Sequence, residues 1–166
     1  MRLRLPLLAL LAAIAPLSVL AQDLSGMAGA LKVNSTNERT FVAAISYTQP
    51  VGTYNAVSLS YINEGHPENH HRDGMGGQFW LRTQNVERGL MLGAGAGRYF
   101  FFDTAKTDLA PHNFDNDHGW GSIVSLQARW QFDNRWYAQA QINRIKPDGK
   151  DNTTHFLLGA GYRYDG

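Results

Sequence analysis

The stretch from Trp120 to Phe132, WGSIVSLQARWQF, alternates large apolar side chains with polar ones at a spacing of two. Its apolar face carries the residues at positions 120, 124, 126, 128, 130 and 132. Its other face carries Ile123, Ser125, Gln127, Arg129 and Gln131. Because successive side chains of a β-strand point to opposite sides, the pattern predicts a strand with one apolar and one mostly polar face.

The same alternation recurs along the chain after residue 26, and no sustained helical periodicity interrupts it. Clusters of Gly, Pro, Asn and Asp separate the repeats, as is typical of turns. We therefore predict an all-β chain of eight antiparallel strands, at 27–34, 40–49, 54–64, 75–84, 89–102, 119–132, 135–145 and 153–164.

Alternation alone does not say which face is inside, because a soluble antiparallel barrel or sandwich alternates as well. Aromatic residues near both ends of the apolar face, and a polar face rich in Gln, Asn, Arg and Gly, favour lipid on the outside. The predicted connections also alternate strictly, with long ones at 65–74, 103–118 and 146–152. The chain thus resembles the small eight-stranded outer-membrane β-barrels over residues 22–166. That resemblance implies an up-and-down transmembrane barrel with both termini in the periplasm.

Residues 1–21 have the features of a cleaved signal peptide. Arg2 and Arg4 precede the apolar run at 5–20, and the small residue Ala21 ends a cleavage site. A membrane anchor helix is the alternative, but the apolar core is short for a span of about 20 residues. Cleavage leaves one barrel domain of 145 residues and changes the net charge from +1 to −1.

The amino-acid composition limits the classes of function that this chain can have. The chain has no cysteine, so no disulfide framework can hold it after export. Lys and Arg are scattered singly along the sequence, and we therefore expect no nucleic-acid partner. The mean hydropathy of −0.33 is compatible with a barrel, because every second residue faces the lumen.

The predicted topology gathers all six histidines at one end of the barrel, and the densest polar stretch there is Asn63–Asp73, NEGHPENHHRD. Histidine can transfer protons near neutral pH, a carboxylate can orient it, and arginine can hold a phosphate or carboxylate. An ordinary polar loop is the alternative. The candidate catalytic residues are Asn63, Glu64, His66, His70, His71, Asp73 and His118, and the candidate substrate-binding residues are Ser60, Arg72 and His155.

Asp115 and Asp117 offer oxygen ligands at a spacing of two, as calcium loops do, although the glycine and final glutamate of that pattern are missing. His70, His118 and an aspartate are a weaker zinc candidate, because no typical ligand spacing is present. We therefore expect no cofactor other than a divalent cation such as Ca²⁺, and a solvated acidic loop is the alternative.

The segment Ser60–Gly65, followed by Asp73 and Gly74, locally resembles the lipid A 3-O-deacylases, in which a strand carries a His-x-Ser-Asn pattern. Asn63 matches the Asn of that pattern, whereas Ser60 and Ile62 stand where its His and Ser would be. The resemblance implies action on lipid A, but it does not transfer the Ser-His mechanism.

Two functional hypotheses follow. The first is a hydrolase-like enzyme that modifies lipid A or another surface glycolipid through the histidine-rich site. The alternative is a non-catalytic surface protein whose loops bind cations, lipopolysaccharide or a partner. Both predict contact with outer-membrane lipid and insertion by the barrel assembly machinery.

Overall fold

The computed structural model describes residues 22–66, 70–83, 88–106 and 114–164. They form eight antiparallel strands, each paired with the next in sequence, and β1 pairs with β8 to close the barrel. The predicted eight-stranded barrel is confirmed. In the described part of the chain no helix has the length and apolar composition needed to cross a membrane. The strands are β1 Gln22–Val33, β2 Arg39–Pro50, β3 Asn55–Asn63, β4 His70–Arg82, β5 Gly89–Lys106, β6 Phe114–Gln131, β7 Trp136–Pro147 and β8 Thr153–Tyr164.

Side chains alternate between the two faces of the wall as the sequence predicts. Leu126 is 61% exposed on the outside, whereas Arg129 is 2% exposed on the inside of the same strand. An apolar exterior of this extent is typical of a barrel surrounded by lipid, because soluble monomers rarely expose so large an apolar surface. We call the end where β1 begins and β8 finishes the terminus end, and the opposite end the loop end. Outward aromatic side chains lie near both, with Tyr47, Trp130, Phe132, Trp136, Tyr162 and Tyr164 at the terminus end and Phe41, Phe100, Phe102, Trp120 and Phe156 at the loop end.

The interior changes character along the barrel. Towards the terminus end it is filled by Ser, Gln, Asn and Arg side chains, as predicted, which hydrogen-bond one another. Towards the loop end it contains an apolar cluster that the polar pattern did not predict. The cluster consists of Met27, Leu31, Val33, Val42, Ala44, Ile62, Tyr99, Phe101, Ile123, Ile145 and Leu157. Both regions pack the lumen with side chains.

Inward glycines make room for inward aromatic rings. A Cβ built on Gly95 would lie 2.7 Å from the ring of Trp80, and one built on Gly74 would overlap the ring of Tyr99. A narrow eight-stranded lumen holds such rings only where the facing strand has no side chain.

Several strands extend further than the sequence predicts. β1 begins five residues earlier, at Gln22, and β4, β5 and β6 continue towards the loop end. His70 to Asp73 therefore lie on β4, and Asp115 to His118 on β6, not in the loops where we expected them. The reason is that backbone pairing between strands continues beyond the apolar part of the outer wall. Polar side chains there do not indicate that a strand has ended.

Candidate functional site at the loop end of the barrel

The strand wall separates the candidate residues into two groups. Ser60, Glu64, Arg72 and His155 are buried inside the barrel. Asn63, His71, Asp73 and His118 lie on the outward-facing positions of β3, β4 and β6, and His66 is exposed in the β3–β4 connection. The side chains of His70 and Asp115 lie outside the described part, as does all of His112. The predicted set therefore does not meet at one point.

The interior group is organised around Glu64, whose side chain is fully buried. Arg72 donates to Glu64 Oε2 from Nε at 2.9 Å and from Nη2 at 2.5 Å. Tyr99 donates to Oε1 at 2.7 Å, and Thr153 donates to Oε2 at 3.3 Å. His155 Nε2 lies 3.7 Å from Oε2 and 3.2 Å from the Thr153 hydroxyl. Side chains of three strands, β4, β5 and β8, thus converge on a single carboxylate.

The local backbone explains how Glu64 enters the barrel. The Glu64 amide donates to the Arg72 carbonyl at 2.8 Å, and the Arg72 amide donates to the Gly65 carbonyl at 3.3 Å. Asn63 Oδ1 accepts a hydrogen bond from the Gly65 amide at 3.0 Å. Gly65 has a φ of 67°, and a Cβ there would lie 2.6 Å from the Phe41 carbonyl oxygen. A glycine is therefore required for both conformation and space.

This interior network is closed to substrates. Glu64 and His155 are 0% exposed, and every oxygen of the carboxylate already accepts hydrogen bonds. The sequence did not single out Tyr99, because the aromatic run 99–102 has the composition of an outer aromatic girdle. Tyr99 and Phe101 instead point inward, and only Phe100 and Phe102 lie outside.

The exterior group forms a small polar cluster beside β3. His71 Nε2 lies 3.2 Å from Asp73 Oδ2, and the rings of His66 and His71 are 5.0 Å apart between centroids. Asn63 stands directly opposite Asp73 in the β3–β4 register. An imidazole beside a carboxylate can carry a proton or, when protonated, attract a phosphate.

The serine hydroxyls of β3 do not reach these histidines. Ser60 hydrogen-bonds Ser46 inside the barrel, and Ser58 accepts a hydrogen bond from the Trp80 indole at 2.8 Å. His155 bonds Thr153 instead of a serine. The hydroxyls thus stabilise the interior in this structure.

Asp117 is engaged by a lysine. Lys150 Nζ lies 2.8 Å from Asp117 Oδ2 and 3.3 Å from Asp103 Oδ2. The hydrogen bond to Asp117 raises the pKa of Lys150, against a smaller lowering from burial. Among the described residues no group of three or more His, Asp or Glu side chains is placed to hold a metal ion. The calcium site at Asp115 and Asp117 stays a prediction, in which Lys150 competes with the cation.

The register gathers basic side chains on the outer wall that are scattered in the sequence. Arg39, Lys32, Thr154 and Arg144 are successive cross-strand partners on β2, β1, β8 and β7, and we call them the first basic row. Lys146, Ser122 and Arg98 are successive partners on β7, β6 and β5, and we call them the second basic row. All point outward near the loop end. The sequence signal that could have found these basic residues is strand parity, because it places each of them on the outward face of its strand.

The first basic row borders a recess in the outer wall. The recess has a volume of about 410 Å³ and is lined by Ala30, Leu31, Lys32, Arg39 and Phe156. In the second row, the Arg98 guanidinium lies 5.9 Å from the centre of the Trp120 ring. Positive charge therefore stands directly above aromatic and apolar side chains, as it does at membrane interfaces.

Comparisons with known proteins support the fold. No protein-family model matches the chain, and no curated protein matches it. Solved structures of several small outer-membrane barrels share the architecture, among them the following three. The N-terminal β-barrel domain of Pseudomonas aeruginosa OprF has a TM-score of 0.68 and 12% identity, covering 87% of this chain and 97% of that one. Neisserial surface protein A has a TM-score of 0.63 and 12% identity, covering 90% and 98%. Ail of Yersinia pestis, in complex with the heparin analogue sucrose octasulfate, has a TM-score of 0.60 and 12% identity, covering 87% and 97%.

The fold is that of the small outer-membrane barrels. At these identities the likeness extends to architecture and not to chemistry.

Proposed function

We propose that this protein is an outer-membrane β-barrel that binds phosphate-bearing glycolipid, such as lipopolysaccharide, against its outer wall. Both termini lie in the periplasm in this proposal, and the loop end faces the outer leaflet. The barrel assembly machinery inserts the chain. The observation that carries the proposal is the first basic row, which stands at the edge of the apolar exterior.

The chemistry of the row suits this ligand. Arg39 and Lys32 project from adjacent strands about 5 Å apart, and Arg144 lies two strands from Lys32 with Thr154 between them, a spacing that suits a ligand with more than one phosphate. Below them, Phe156 and Ala30 offer apolar contact for an acyl chain. Asp73 is the one acidic side chain among the outward-facing strand positions that the structure describes. The exterior at this end thus favours anions.

A barrel of this fold is known with a polyanionic sugar, since the Ail structure contains sucrose octasulfate. That complex concerns Ail alone, and it supports the proposal only as an example of a sulfated saccharide bound by a protein of this architecture. Phosphorylated sugar headgroups have similar charge and hydrogen-bonding capacity.

Binding is favoured over catalysis by the position of the histidines. The His71–Asp73 pair faces outward without a described serine beside it, and the interior His155 is enclosed. Mass spectrometry of lipid A from cells with and without the protein tests the hydrolase alternative, and we expect an unchanged acyl and headgroup pattern.

The binding test compares two double variants. Lys32→Gln/Arg39→Gln removes the charges beside the recess, and Arg88→Gln/Arg135→Gln removes two exposed charges at the terminus end. Each basic residue near an anionic lipid surface contributes about 1 kcal/mol. We therefore expect the first variant to bind phosphorylated glycolipid roughly 30-fold more weakly and to retain correspondingly less of it through purification in detergent, measured by mass spectrometry. Equal retention by the two variants would contradict the proposal.

A further inference from the structure

The terminus end of the lumen contains three arginines around one carboxylate. Arg129 Nη1 lies 2.5 Å from Asp23 Oδ2, and Arg163 Nε lies 3.1 Å from Oδ1. Arg82 Nη1 lies 3.9 Å from Oδ2, beyond hydrogen-bond reach. The side chains come from β1, β4, β6 and β8, so they meet across the lumen.

The charges in this cluster do not balance. The side chain of Asp23 is fully buried, and those of Arg82 and Arg129 are 1% and 2% exposed. Arginine stays protonated in proteins, so Arg82 and Arg129 place two positive charges beside the single negative charge of Asp23, which Arg163 also contacts. Asp23 is the only buried carboxylate at this end among the residues that the structure describes. Buried charge without a counterion is strongly unfavourable.

The unpaired atoms in the cluster are hydrogen-bond donors. Within the described part of the chain, Arg82 Nε, Nη1 and Nη2 and Arg129 Nε are buried without a hydrogen-bond partner. The Arg129 guanidinium also lies 3.7 Å from the centre of the Tyr137 ring, which covers one of its faces. Four donors without partners, on two arginines that both approach Asp23, and an excess of positive charge together favour an acceptor that carries negative charge.

We propose that the barrel binds a small inorganic anion between Arg82 and Arg129, beside Asp23. Chloride and phosphate share the required chemistry, since both accept several hydrogen bonds from guanidinium groups. The side chains around the site are at most 9% exposed, so we expect large organic anions to be excluded. The site belongs to the interior and is independent of glycolipid binding on the outer wall.

The test is anion-dependent stability. The full-chain protein is purified from membranes in detergent, and thermal unfolding is followed by circular dichroism in sodium chloride, sodium phosphate or sodium gluconate at equal ionic strength. A ligand that binds the folded state raises its stability with saturation. We expect the unfolding midpoint to be about 5 °C higher in chloride or phosphate than in gluconate. The salt that gives the larger shift identifies the preferred anion.

Two variants locate the effect. Arg82→Gln should lose most of the shift, whereas Arg135→Gln, an exposed arginine in a turn at the same end, should keep it. If Arg82→Gln does not fold, bromide-soaked crystals of the unsubstituted protein should show anomalous density within hydrogen-bond distance of Arg82. The same midpoint in all three salts, or a shift retained in Arg82→Gln, would overturn the proposal.

Carboxylates of the chain itself are the competing occupants. Glu87 and Asp165 lie outside the described residues. If one of them fills the site, the unsubstituted protein will show no anion-dependent shift, and Glu87→Gln or Asp165→Asn will create one. That result would also overturn an inorganic anion as the occupant.

Discussion

Glu64 shows how one side chain can organise the loop end of the barrel. The sequence presents it as a member of a polar loop, whereas the structure turns it inward to accept hydrogen bonds from Arg72, Tyr99 and Thr153. Its neighbours Asn63 and Gly65 make the turn that directs it inside. Asn63 faces outward, whereas the next residue, Glu64, faces the interior of the barrel.

Glu64→Gln should destabilise the barrel strongly, because Arg72 would keep a buried charge without its partner. Breaking a buried ion pair typically costs about 3–5 kcal/mol. Urea unfolding in detergent measures the change in the free energy of unfolding. Asp151→Asn, at an exposed carboxylate in the β7–β8 connection at the same end, is the control and should change it little. Equal stability of the two variants would show that the interior network does not hold the structure together.

A substitution at Gly74 tests how much space is available inside the barrel. A Cβ at position 74 would overlap the Tyr99 ring, so Gly74→Ala should cost about 1–3 kcal/mol by overpacking. Gly77→Ala on the same strand meets nothing within 4 Å and should be nearly neutral. Unfolding midpoints of the two variants test this directly, and a tolerated Gly74→Ala would mean that Tyr99 moves freely.

At the scale of the element, each strand of the barrel has two faces whose side chains have different roles. The outward positions of β6 present an apolar and aromatic surface, and the inward positions present residues that fill the lumen. Pairing between strands then turns single positions into rows. Lys32 and Arg144 are far apart in sequence, yet Thr154 is the direct partner of both.

Substitutions on β6 can measure which part of the outer surface contacts lipid. Leu126 lies in the middle of its outward face, and Phe132 directly follows the strand at the terminus end. In a bilayer, Leu126→Arg should cost about 2–4 kcal/mol, whereas Phe132→Arg should cost about 0–1 kcal/mol. Reversible unfolding in lipid vesicles gives both values. If the two arginines cost the same, the exterior of β6 does not cross the apolar part of a membrane.

At the scale of the whole molecule, closure of the barrel decides what is accessible. The wall separates the interior network of Glu64 from the outer cluster of His66, His71 and Asp73, and the packed lumen leaves the outer wall and the loops as contact surfaces. Orientation in the membrane then determines which leaflet the basic rows meet.

The absence of cysteine from the sequence makes this orientation measurable. Ser35→Cys places one thiol in the β1–β2 turn at the loop end, and Asn134→Cys places one in the β6–β7 turn at the terminus end. A membrane-impermeant maleimide applied to intact cells should label the first variant and not the second. Lysed cells supply the control, in which both should react. The reverse pattern would place the termini outside the cell.

The sequence by itself determined the eight strands, the parity of their side chains and the barrel, because alternation at a spacing of two is a local property of the backbone. The same parity places His155 on the inward face of β8, where it is buried. The predicted strand ends were less accurate where β4 and β6 continue through polar residues, because backbone pairing does not require apolar side chains.

Only the tertiary structure decided which of these residues meet. The candidate site residues follow one another in sequence, but neighbouring positions on a strand face opposite sides of the wall, so Arg72 joins Glu64 while His71 joins Asp73. The basic rows and the arginines around Asp23 depend on register and on contacts across the lumen, which join distant strands. Closure of the sheet creates these neighbours, and no local pattern in the sequence contains them.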